Sequence, residues 1–555
     1  MAINETANKV CVIGLDGMAP HLLEWLVSEG HMPNIKKFMD KGIYGPLKST
    51  IPPITPTAWA SFITGKNPGK HGIYGFLNFD PGNPGEVSLN NSQSIVGDTL
   101  LNILSRNEKK SGIINLPMTY PPQPVNGFLI TGLMTPSIEN TFTYPPELKT
   151  ELLEIFPEYD FLVHFELFDV NSDRRFKNFV DTAIKVITIR ANACLYLMEK
   201  YHWDFLMVHF QSVDAIQHKL WSYIDPDLKL SKSKDKWRRD RIIEFYNVLD
   251  KLIGQIKSRI NLSDTTTIIM SDHGFGARKG KIFPNVLLKK LGILKSYDEI
   301  SNVQSNIFKK TKEFLRYIPL LVPIYKMARK NFSRKSRITW LEYLERQQDS
   351  FDFHKNLDFN KTKAYLMSAG SYYGSLYINE QSHKLCDSLI KHLENARDPE
   401  TGEVIFKGIF RAKDIYSGEQ LKLAPDLIIV PREGYAIDDS LSAKKLLERS
   451  SKLVWGEHRE YGIFMAFGDI IKENNNLTNA RIIDIAPTIL YCLGLMIPED
   501  MDGRILVSIF KESHMDNYPV EYSKMDKTNN NRLKHTYSQS EKIIVRDRLK
   551  NLGYF

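Results

Sequence analysis

The chain has 555 residues, of which 42% are hydrophobic and 25% are charged. This balance is ordinary for a globular protein with a sizeable core, and it excludes disordered, collagen-like and coiled-coil chains. At ~100–200 residues per domain, the length predicts one large domain with an insertion, or two to three domains. The net charge of +8 is modest for this length, and the sequence has no specific nucleic-acid motif.

Neither a membrane span nor a secretory signal is predicted. A transmembrane helix needs ~20 apolar residues, but the apolar stretch 317–325 contains two prolines and the stretch 482–498 contains Asp484 and Pro487. Residues 1–10 lack the charged and apolar regions of a signal peptide. The cysteines form no CxxC pair, so neither a thiolate metal site nor a disulfide framework is indicated. We therefore expect a cytoplasmic protein.

Apolar runs alternate with amphipathic stretches over the first 300 residues. Strands are predicted at Val10–Leu15, Gly112–Ile114, Phe205–His209 and Thr266–Met270. Helices are predicted at Pro20–Ser28, Thr99–Ser105, Phe176–Glu199 and Arg239–Ile260. This alternation predicts an α/β fold with a mostly parallel central sheet flanked by helices.

The pattern changes after Lys295. Residues 296–440 contain short strand candidates at Ser375–Ile378 and Leu427–Val430, and they are predicted to form an inserted cap region. Core patterns return at Gly462–Phe467 and Ala486–Leu495. The predicted division is a core at 7–295 and 441–515, an insertion at 296–440, and a polar C-terminal tail at 516–555. Residues 516–551 of this tail are expected to lie over the surface.

Acidic and imidazole side chains follow or precede several predicted strands. They are Asp16, Asp214, His218, Asp272, His273 and His458. Because ligands bind beyond the carboxyl ends of parallel strands, these side chains could converge on one crevice. Taken singly, an Asp after a strand is more often a helix cap, and a loop histidine is often solvated. Together, three Asp and three His would supply ligands for two divalent metals.

Residues 52–65, PPITPTAWASFITG, contain a candidate nucleophile. Pro56 suits the first position of a helix, so a helix is predicted at Pro56–Thr64, with Thr55 as its cap and Gly65 at its end. A helix N-terminus favours anions, and it would stabilise both a phosphate and a Thr55 alkoxide. Thr55 could instead serve only as a cap, and Thr57 and Ser61 are competing hydroxyls.

Six motifs then point to a family. They occur in the order VIGLDGM, PPITPTAWASFITGKNPGKHGIYGF, HFQSVDAIQH, SDHGFG, GEHREYGIF and DIAPTILYCLGL. The ordered set resembles the alkaline phosphatase superfamily, and within it the type I phosphodiesterase/nucleotide pyrophosphatase family, over about residues 9–295 and 420–510. The RDRLKNLGYF segment is similar to that family's tail. The resemblance implies an alkaline-phosphatase-like core and a phosphodiesterase- or pyrophosphatase-type hydrolase.

The resemblance also implies roles for individual residues. Thr55 matches the nucleophile, and it shares one metal with Asp16, Asp272 and His273. The second metal falls to Asp214, His218 and His458. The expected cofactors are two divalent metal ions, with zinc as the first choice and manganese as the alternative. A covalent phospho- or nucleotidyl-threonine would form and then be hydrolysed by water.

The sequence departs from the family pattern at two places. Nucleotide pyrophosphatases carry an Asn 21 residues after the nucleophile that helps hold a phosphoryl oxygen, and Phe76 stands there in this chain. Asn78 is the candidate substrate contact that could replace it after a small loop shift. Ala58 and Trp59 replace the family's Asn-His pair. His71 matches a motif histidine that is not a ligand, so it is expected to pack or to form a hydrogen bond. Nucleotide specificity, and the choice between mono- and diesters, therefore stay open.

Other functions fit the sequence less well. A phosphomutase or phosphomonoesterase of the same superfamily is the alternative enzyme, although a phosphomutase normally uses Ser and carries its insertion soon after the nucleophile. A sulfatase would need the motif Cys-x-Pro-x-Arg, which no cysteine of this sequence fits. A dinucleotide-binding enzyme would need a Gly three residues after Gly274-Phe-Gly276, and none stands there. A non-catalytic binding protein would be expected to lose ligands, yet all seven motif positions are filled. The prediction is a phosphoric ester hydrolase.

Residues 309–337 are basic, with ten Lys or Arg and only Glu313 as an acid. A basic amphipathic segment can lie on an anionic membrane. The favoured interpretation is instead a pair of cap helices over the active site, because Pro319 and Pro323 would break one continuous helix. The expected partner is a small-molecule phosphate ester or a lipid-linked phosphate. Peripheral membrane contact through 309–337 is the second interpretation of this segment, and it is compatible with a cap. The sequence does not indicate an oligomeric state.

Overall fold

The structure is a computed structural model that describes residues 9–79, 87–160, 172–228, 230, 232–297, 357–367, 372–379, 382–450, 455–524 and 535–554. The basic segment 309–337 lies outside the described residues, so the predictions made for it are not addressed by the fold. No helix in the described part of the chain is both long and apolar enough to cross a membrane.

A ten-stranded sheet forms the core. Its central block of five parallel strands consists of, in spatial order, Thr265–Met270, Lys9–Leu15, Phe205–Phe210, Ser111–Leu116 and Gly127–Thr131. The antiparallel strand Tyr461–Phe467 joins this block to Ile43–Lys48. Three two-residue strands complete the edges, namely Thr143–Tyr144, Asn475–Asn476 and Ala480–Arg481. The predicted α/β fold with a mostly parallel central sheet is confirmed.

Helices flank this sheet. They are Pro20–Ser28, Pro33–Lys41, Thr55–Thr64, Pro68–His71, Leu100–Arg106, Leu148–Ile155, Asp173–Lys200, Ser212–Ile224, Ser233–Ser258, Pro284–Lys290 and Ile485–Cys492. The two longest, Asp173–Lys200 and Ser233–Ser258, pack against each other. Each buries one apolar stripe, for example Phe176, Phe179, Val180 and Ala183, because residues three and four apart share a helix face.

Smaller sheets lie between the two parts of the core sequence. An antiparallel sheet has the spatial order Ala364–Met367, Gly374–Ile378, Leu427–Pro431 and Phe406–Arg411. Helices His383–Glu394 and Ala412–Ile415 accompany it. A second sheet joins Tyr435–Ile437 and Leu447–Arg449 to Gly280–Ile282, a strand of the first core segment. Strands at both predicted positions are thus present, while the division into domains stays a prediction.

The remaining elements are short. The antiparallel pairs are Leu77–Phe79 with Val87–Leu89 and Gly274–Arg278 with Trp455–Arg459, and the parallel pair is Ile497–Pro498 with Tyr522–Ser523. Single 3-10 turns occur at Ser92–Ser94, Glu419–Leu423, Ile482–Asp484 and Val507–Ile509.

Part of the C-terminal tail, which was expected to lie over the surface, packs into the core. After helix Glu512–Asn517, helix Gln539–Leu552 buries Val545, Leu549 and Leu552 completely, and Tyr554 after it is also buried. The expectation of a purely surface tail is therefore wrong for this helix. The sequence of this helix is mostly charged, but its apolar residues lie at positions i, i+4 and i+7, which is the spacing of one helix face.

Candidate metal centre and nucleophile

Three strands of the parallel block end at the same level. Leu15 pairs with Phe210 on one side, and Gly14 pairs with Met270 on the other. The residues that follow these strands, including Asp16 and Asp272, therefore meet at one edge of the sheet. This is the edge where ligands bind in open parallel sheets.

The other candidate ligands reach the same edge from two further elements. Helix Ser212–Ile224 follows the strand Phe205–Phe210 and carries Asp214 and His218 four residues apart, hence on one face. Strands Gly274–Arg278 and Trp455–Arg459 pair in antiparallel fashion, and His458 lies opposite Phe275. Phe275 is two residues after His273 in the chain, so the pairing brings His458 close to His273. The rings of His273 and His458 stack with centroids 3.6 Å apart. All six Asp and His side chains thus come together.

The first set surrounds the ring nitrogen Nε2 of His273. This atom lies 3.5 Å from Asp16 Oδ1, 3.4 Å from Asp272 Oδ2 and 3.4 Å from Thr55 Oγ1. In the second set, Asp214 Oδ1 lies 3.4 Å from the Nε2 atoms of both His218 and His458, which are 2.9 Å apart. Every member of the two sets is buried.

These spacings fit metal coordination. A tetrahedral zinc ion bound at about 2.0–2.1 Å holds its ligand atoms about 3.3–3.5 Å apart, and five of the six distances fall in that range. The His218–His458 distance is shorter, and two imidazole lone pairs this close repel each other unless a proton or a cation lies between them. The described residues therefore form two candidate sites for divalent metals.

The carboxylates are oriented in the same way in both sets. One oxygen of each is held by the protein: Asp16 Oδ2 by His209 Nε2 at 2.9 Å, Asp272 Oδ1 by Gly17 N–H at 3.1 Å, and Asp214 Oδ2 by Gln211 Nε2 at 3.2 Å. The other oxygen faces the cluster and is buried without a hydrogen-bond partner. A buried carboxylate oxygen without a partner is costly, and a bound cation would satisfy it.

The imidazoles are oriented as well. The Nδ1 atoms of His218, His273 and His458 lie 2.9–3.3 Å from the backbone carbonyls of Gly456, Gly274 and Pro53. Each Nδ1–H therefore donates to a carbonyl, which leaves the lone pair of Nε2 facing the cluster. Backbone acceptors of this kind fix ligand histidines in metalloproteins.

Burial and charge act differently on the three aspartates. Burial raises the pKa of Asp272 well above its usual range, and the nearby charge of Asp16 raises it further. For Asp16, burial also works to raise the pKa, but the hydrogen bond to His209 and the nearby imidazole of His273 outweigh it, and the pKa is lowered. For Asp214, burial is outweighed by His218 and His458, and the pKa is lowered. The first set therefore carries two carboxylates that repel each other.

Thr55 borders the first ligand set. Its Oγ1 is 3.4 Å from His273 Nε2 and 2.9 Å from the hydroxyl of Tyr554. It is the first residue of helix Thr55–Thr64 rather than its cap, because Ala58 N–H already bonds to Ile54 O and extends the helix by one residue. The helix ends at Gly65 as predicted, with a left-handed φ of 66° that suits glycine.

The competing hydroxyls of this helix are placed elsewhere. Ser61 Oγ lies 2.8 Å from His71 Nε2, and His71 Nδ1 accepts Ile73 N–H, so His71 donates its only proton to Ser61. This confirms the hydrogen-bonding interpretation of His71 and leaves Ser61 without a base. Thr57 Oγ1 is buried without a partner and makes no hydrogen bond to either ligand set. Thr55 is the one hydroxyl of the three that reaches a candidate ligand.

Asn78 is not among the residues that the structure brings to the cluster. It lies in the strand Leu77–Phe79 opposite Ser88, and it makes no hydrogen bond with Thr55 or with the six Asp and His residues. Its role as a substrate contact stays a prediction. The ring of Phe76, which stands at the family's Asn position, packs against Tyr554 with centroids 4.6 Å apart.

Tyr554 is the site residue that the sequence reading missed. Its hydroxyl donates to Asp214 Oδ2 at 3.1 Å besides its contact with Thr55. Burial raises the pKa of Tyr554 well above its usual range, and the charge of Asp214 adds to this, so the hydroxyl keeps its proton. The signal in the sequence was the apolar spacing of Val545, Leu549 and Leu552, which shows that the helix before Tyr554 is docked.

Comparison with solved structures identifies a similar overall fold. A solved structure of phosphonoacetate hydrolase from Sinorhizobium meliloti 1021, in complex with phosphonoformate, is similar with a TM-score of 0.53 and 12% identity over 88% of this chain and 96% of that one. Murine ectonucleotide pyrophosphatase / phosphodiesterase 5 gives a TM-score of 0.48 and 14% identity, covering 88% and 95%. No curated protein sequence matches.

The family itself follows from the sequence match. The model of the type I phosphodiesterase / nucleotide pyrophosphatase family matches residues 10–458, which span both candidate metal sites and Thr55. This family contains divalent-metal-dependent phosphoric ester hydrolases. The resemblance inferred from the six motifs is confirmed: the chain belongs to the type I phosphodiesterase / nucleotide pyrophosphatase family.

Proposed function

We propose that this protein hydrolyses small-molecule phosphodiesters or pyrophosphates with Thr55 as the nucleophile and two zinc ions as cofactors. One observation carries the proposal. Asp16, Asp272 and Asp214 each turn one buried oxygen without a hydrogen-bond partner toward a cluster of imidazole nitrogens, and Thr55 Oγ1 borders the first cluster. Side chains arranged only for packing would not leave three such oxygens facing inward.

The residues of the site have two roles in this proposal, metal binding and nucleophilic attack. Asp16, Asp272, His273 and Thr55 would hold one metal, and Asp214, His218 and His458 the other. Bound divalent ions supply charge stabilisation for phosphoryl oxygens and make hydroxyl groups more acidic. His209 keeps Asp16 oriented through its bond to Oδ2, and Gln211 does the same for Asp214.

The proposed reaction has two steps. Thr55 Oγ1 attacks phosphorus and forms an O–P bond while the bond to the leaving group breaks, and the leaving-group oxygen departs with that electron pair and takes up the proton that Thr55 loses. Water then attacks the phosphothreonine, which releases the phosphate product and restores the Thr55 hydroxyl. The position of Thr55 at the first turn of helix Thr55–Thr64 supports this, because the N–H groups of that turn attract anions.

A substrate panel tests the function. Purified protein with added zinc or manganese would be assayed on bis-para-nitrophenyl phosphate, the phenylphosphonate analogue, nucleotides, sugar nucleotides and the monoester para-nitrophenyl phosphate. We expect the diesters or pyrophosphates to be turned over fastest, with Thr55→Ala inactive and the matched variant Thr57→Ala active. Faster turnover of the monoester would show that the protein is a phosphomonoesterase. If Thr57→Ala were inactive and Thr55→Ala active, the nucleophile would be Thr57.

A lipid-linked phosphate as substrate and contact with membranes remain predictions. They depend on the basic segment 309–337, which lies outside the described residues. Co-sedimentation with anionic vesicles tests the membrane contact. Binding that falls with salt and disappears when residues 309–337 are deleted would support it, whereas no binding at low salt would refute it.

A further inference from the structure

The hydroxyl of Tyr554 joins the two ligand sets. It lies 2.9 Å from Thr55 Oγ1, which borders the first candidate metal, and 3.1 Å from Asp214 Oδ2, which belongs to the second. Because its proton goes to the Asp214 carboxylate, its oxygen accepts the proton of Thr55. The Thr55 O–H bond is then directed at Tyr554, and a lone pair of Oγ1 is left free on the side of His273 Nε2, which lies 3.4 Å away.

Tyr554 is held firmly in this position. Its ring packs against Phe76 and against the edges of His218 and His458, with centroids 4.6, 5.4 and 5.6 Å away. Gly553 before it has a φ of 110°, which turns the chain inward after helix Gln539–Leu552, and Tyr554 N–H bonds back to Leu549 O.

The helix that carries Tyr554 is itself fastened to the core. Arg548 donates to the backbone carbonyls of Leu133, Thr135 and Pro136. Glu541 accepts from Asn140 Nδ2 at 2.7 Å. A residue held by so many contacts serves as a fixed part of the site.

The surroundings explain why a tyrosine is useful there. Phe76 fills the place where the sequence resemblance expects an amide, and its ring has no hydrogen-bond donor. Among the described residues, the hydroxyl that hydrogen-bonds to Thr55 belongs to Tyr554, which packs on that same ring. A polar group from a sequence-distant helix thus stands beside the nucleophile.

We propose that Tyr554 is a positioning residue of the phosphoryl-transfer site, which fixes Thr55 for attack and holds the Asp214 carboxylate so that Oδ1 faces His218 and His458. The proposal rests on the proposed function for its kinetic consequence. Its consequence for metal binding is independent of the substrate, because once the tyrosine hydroxyl is lost, Gln211 is the one side-chain donor to Asp214 Oδ2 that the described residues provide.

The variant Tyr554→Phe removes only the hydroxyl, and Tyr537→Phe is its matched control. Tyr537 is also buried and precedes the same helix, but its hydroxyl donates to Met134 O. We expect Tyr554→Phe to lower kcat and to weaken zinc binding each by about 10–100-fold, with KM changed less than about threefold. Tyr537→Phe should leave kcat, KM and zinc binding at wild-type values.

Zinc binding would be measured by titrating the metal-free full-length protein against a chelating dye, and circular dichroism would establish that both variants are folded. If Tyr554→Phe keeps wild-type kcat or wild-type zinc affinity, the proposal is wrong. Equal losses in Tyr537→Phe would also overturn it, because the effect would then be structural. If the wild type hydrolyses no phosphate ester, the proposed function fails, and the zinc titration still decides the role of Tyr554.

Discussion

Replacing Asp272 by Asn should stabilise the metal-free protein and abolish its stabilisation by zinc. Asp272 is completely buried within the first ligand set, beside the carboxylate of Asp16. The Asn side chain has nearly the same shape, and its Oδ1 can still accept Gly17 N–H as Asp272 Oδ1 does at 3.1 Å. The substitution therefore removes one negative charge and little else.

The size of the effect follows from the spacing of the ligand atoms. These atoms lie within 4.8 Å of one another. Two unit charges at that distance repel by about 3.5 kcal/mol at an effective dielectric constant of about 20. Asp272 can avoid part of this cost by taking up a proton, so we expect a gain of roughly 1–3 kcal/mol for the metal-free variant at about pH 8.

The dependence on pH has a definite sign. Burial and Asp16 raise the pKa of Asp272, so the folded metal-free protein binds this proton more tightly than the unfolded chain does. This contribution to stability is present below the unfolded pKa of about 3.9 and is lost as the pH rises toward the folded pKa. Asp272→Asn should remove that loss, and the gain over wild type should therefore grow with pH.

Urea unfolding of chelator-treated protein, with and without zinc, provides the assay. The matched control is Asp250→Asn, because Asp250 is also a buried carboxylate but accepts Asn34 N–H at 3.0 Å and Ile35 N–H at 2.8 Å. An amide nitrogen cannot accept these bonds, so the control should lose about 1–3 kcal/mol. A metal-free Asp272→Asn less stable than wild type, or one still stabilised by zinc as strongly, would refute the reasoning.

Three further outcomes are expected. Burial lowers the pKa of His71 to about 3 in the folded protein, against about 6.5 in the unfolded chain. The free energy of unfolding should therefore fall by about 2.7 kcal/mol between about pH 6.5 and about pH 4.5. In urea unfolding, His71→Gln should show a smaller fall over that range. His209→Leu removes the donor to Asp16 Oδ2 and should weaken zinc binding about 10–100-fold in a dye titration, while an unchanged affinity would deny His209 a part in holding Asp16. Gly65→Ala should lower the free energy of unfolding by about 1–2 kcal/mol, because φ is 66° there, and no loss would show that this turn tolerates a side chain.

The sequence predicted best those features that are set locally along the chain. Strand Lys9–Leu15 and helix Pro20–Ser28 have strong apolar patterns, and the structure reproduces them within a residue. Asp16 and Asp272 were found because each comes within two residues of the end of a buried strand, and parallel strands end at a common edge. The pairing of Asp214 with His218 followed from helix periodicity.

The sequence predicted less well what depends on contacts between distant segments. Tyr554 reaches Thr55 across 499 positions of the chain. The helix before it has a mostly charged surface, so its short apolar stripe was overlooked beside the polar majority. The helix was predicted to start at Pro56, but it starts one residue earlier, at Thr55. The reason is the hydrogen bond from Ala58 N–H to Ile54 O, which the position of Pro56 does not indicate.

Anomalous scattering at the zinc edge, from crystals of the zinc-loaded protein, tests the central claim most directly. The two ligand sets predict two ions per chain, one among Asp16, Asp272, His273 and Thr55 and the other among Asp214, His218 and His458. Their expected separation is about 3.5–4 Å, as in two-metal phosphoryl-transfer sites. A single ion, an ion bound elsewhere, or an ion more than a few ångströms from Thr55 would contradict the two-metal site.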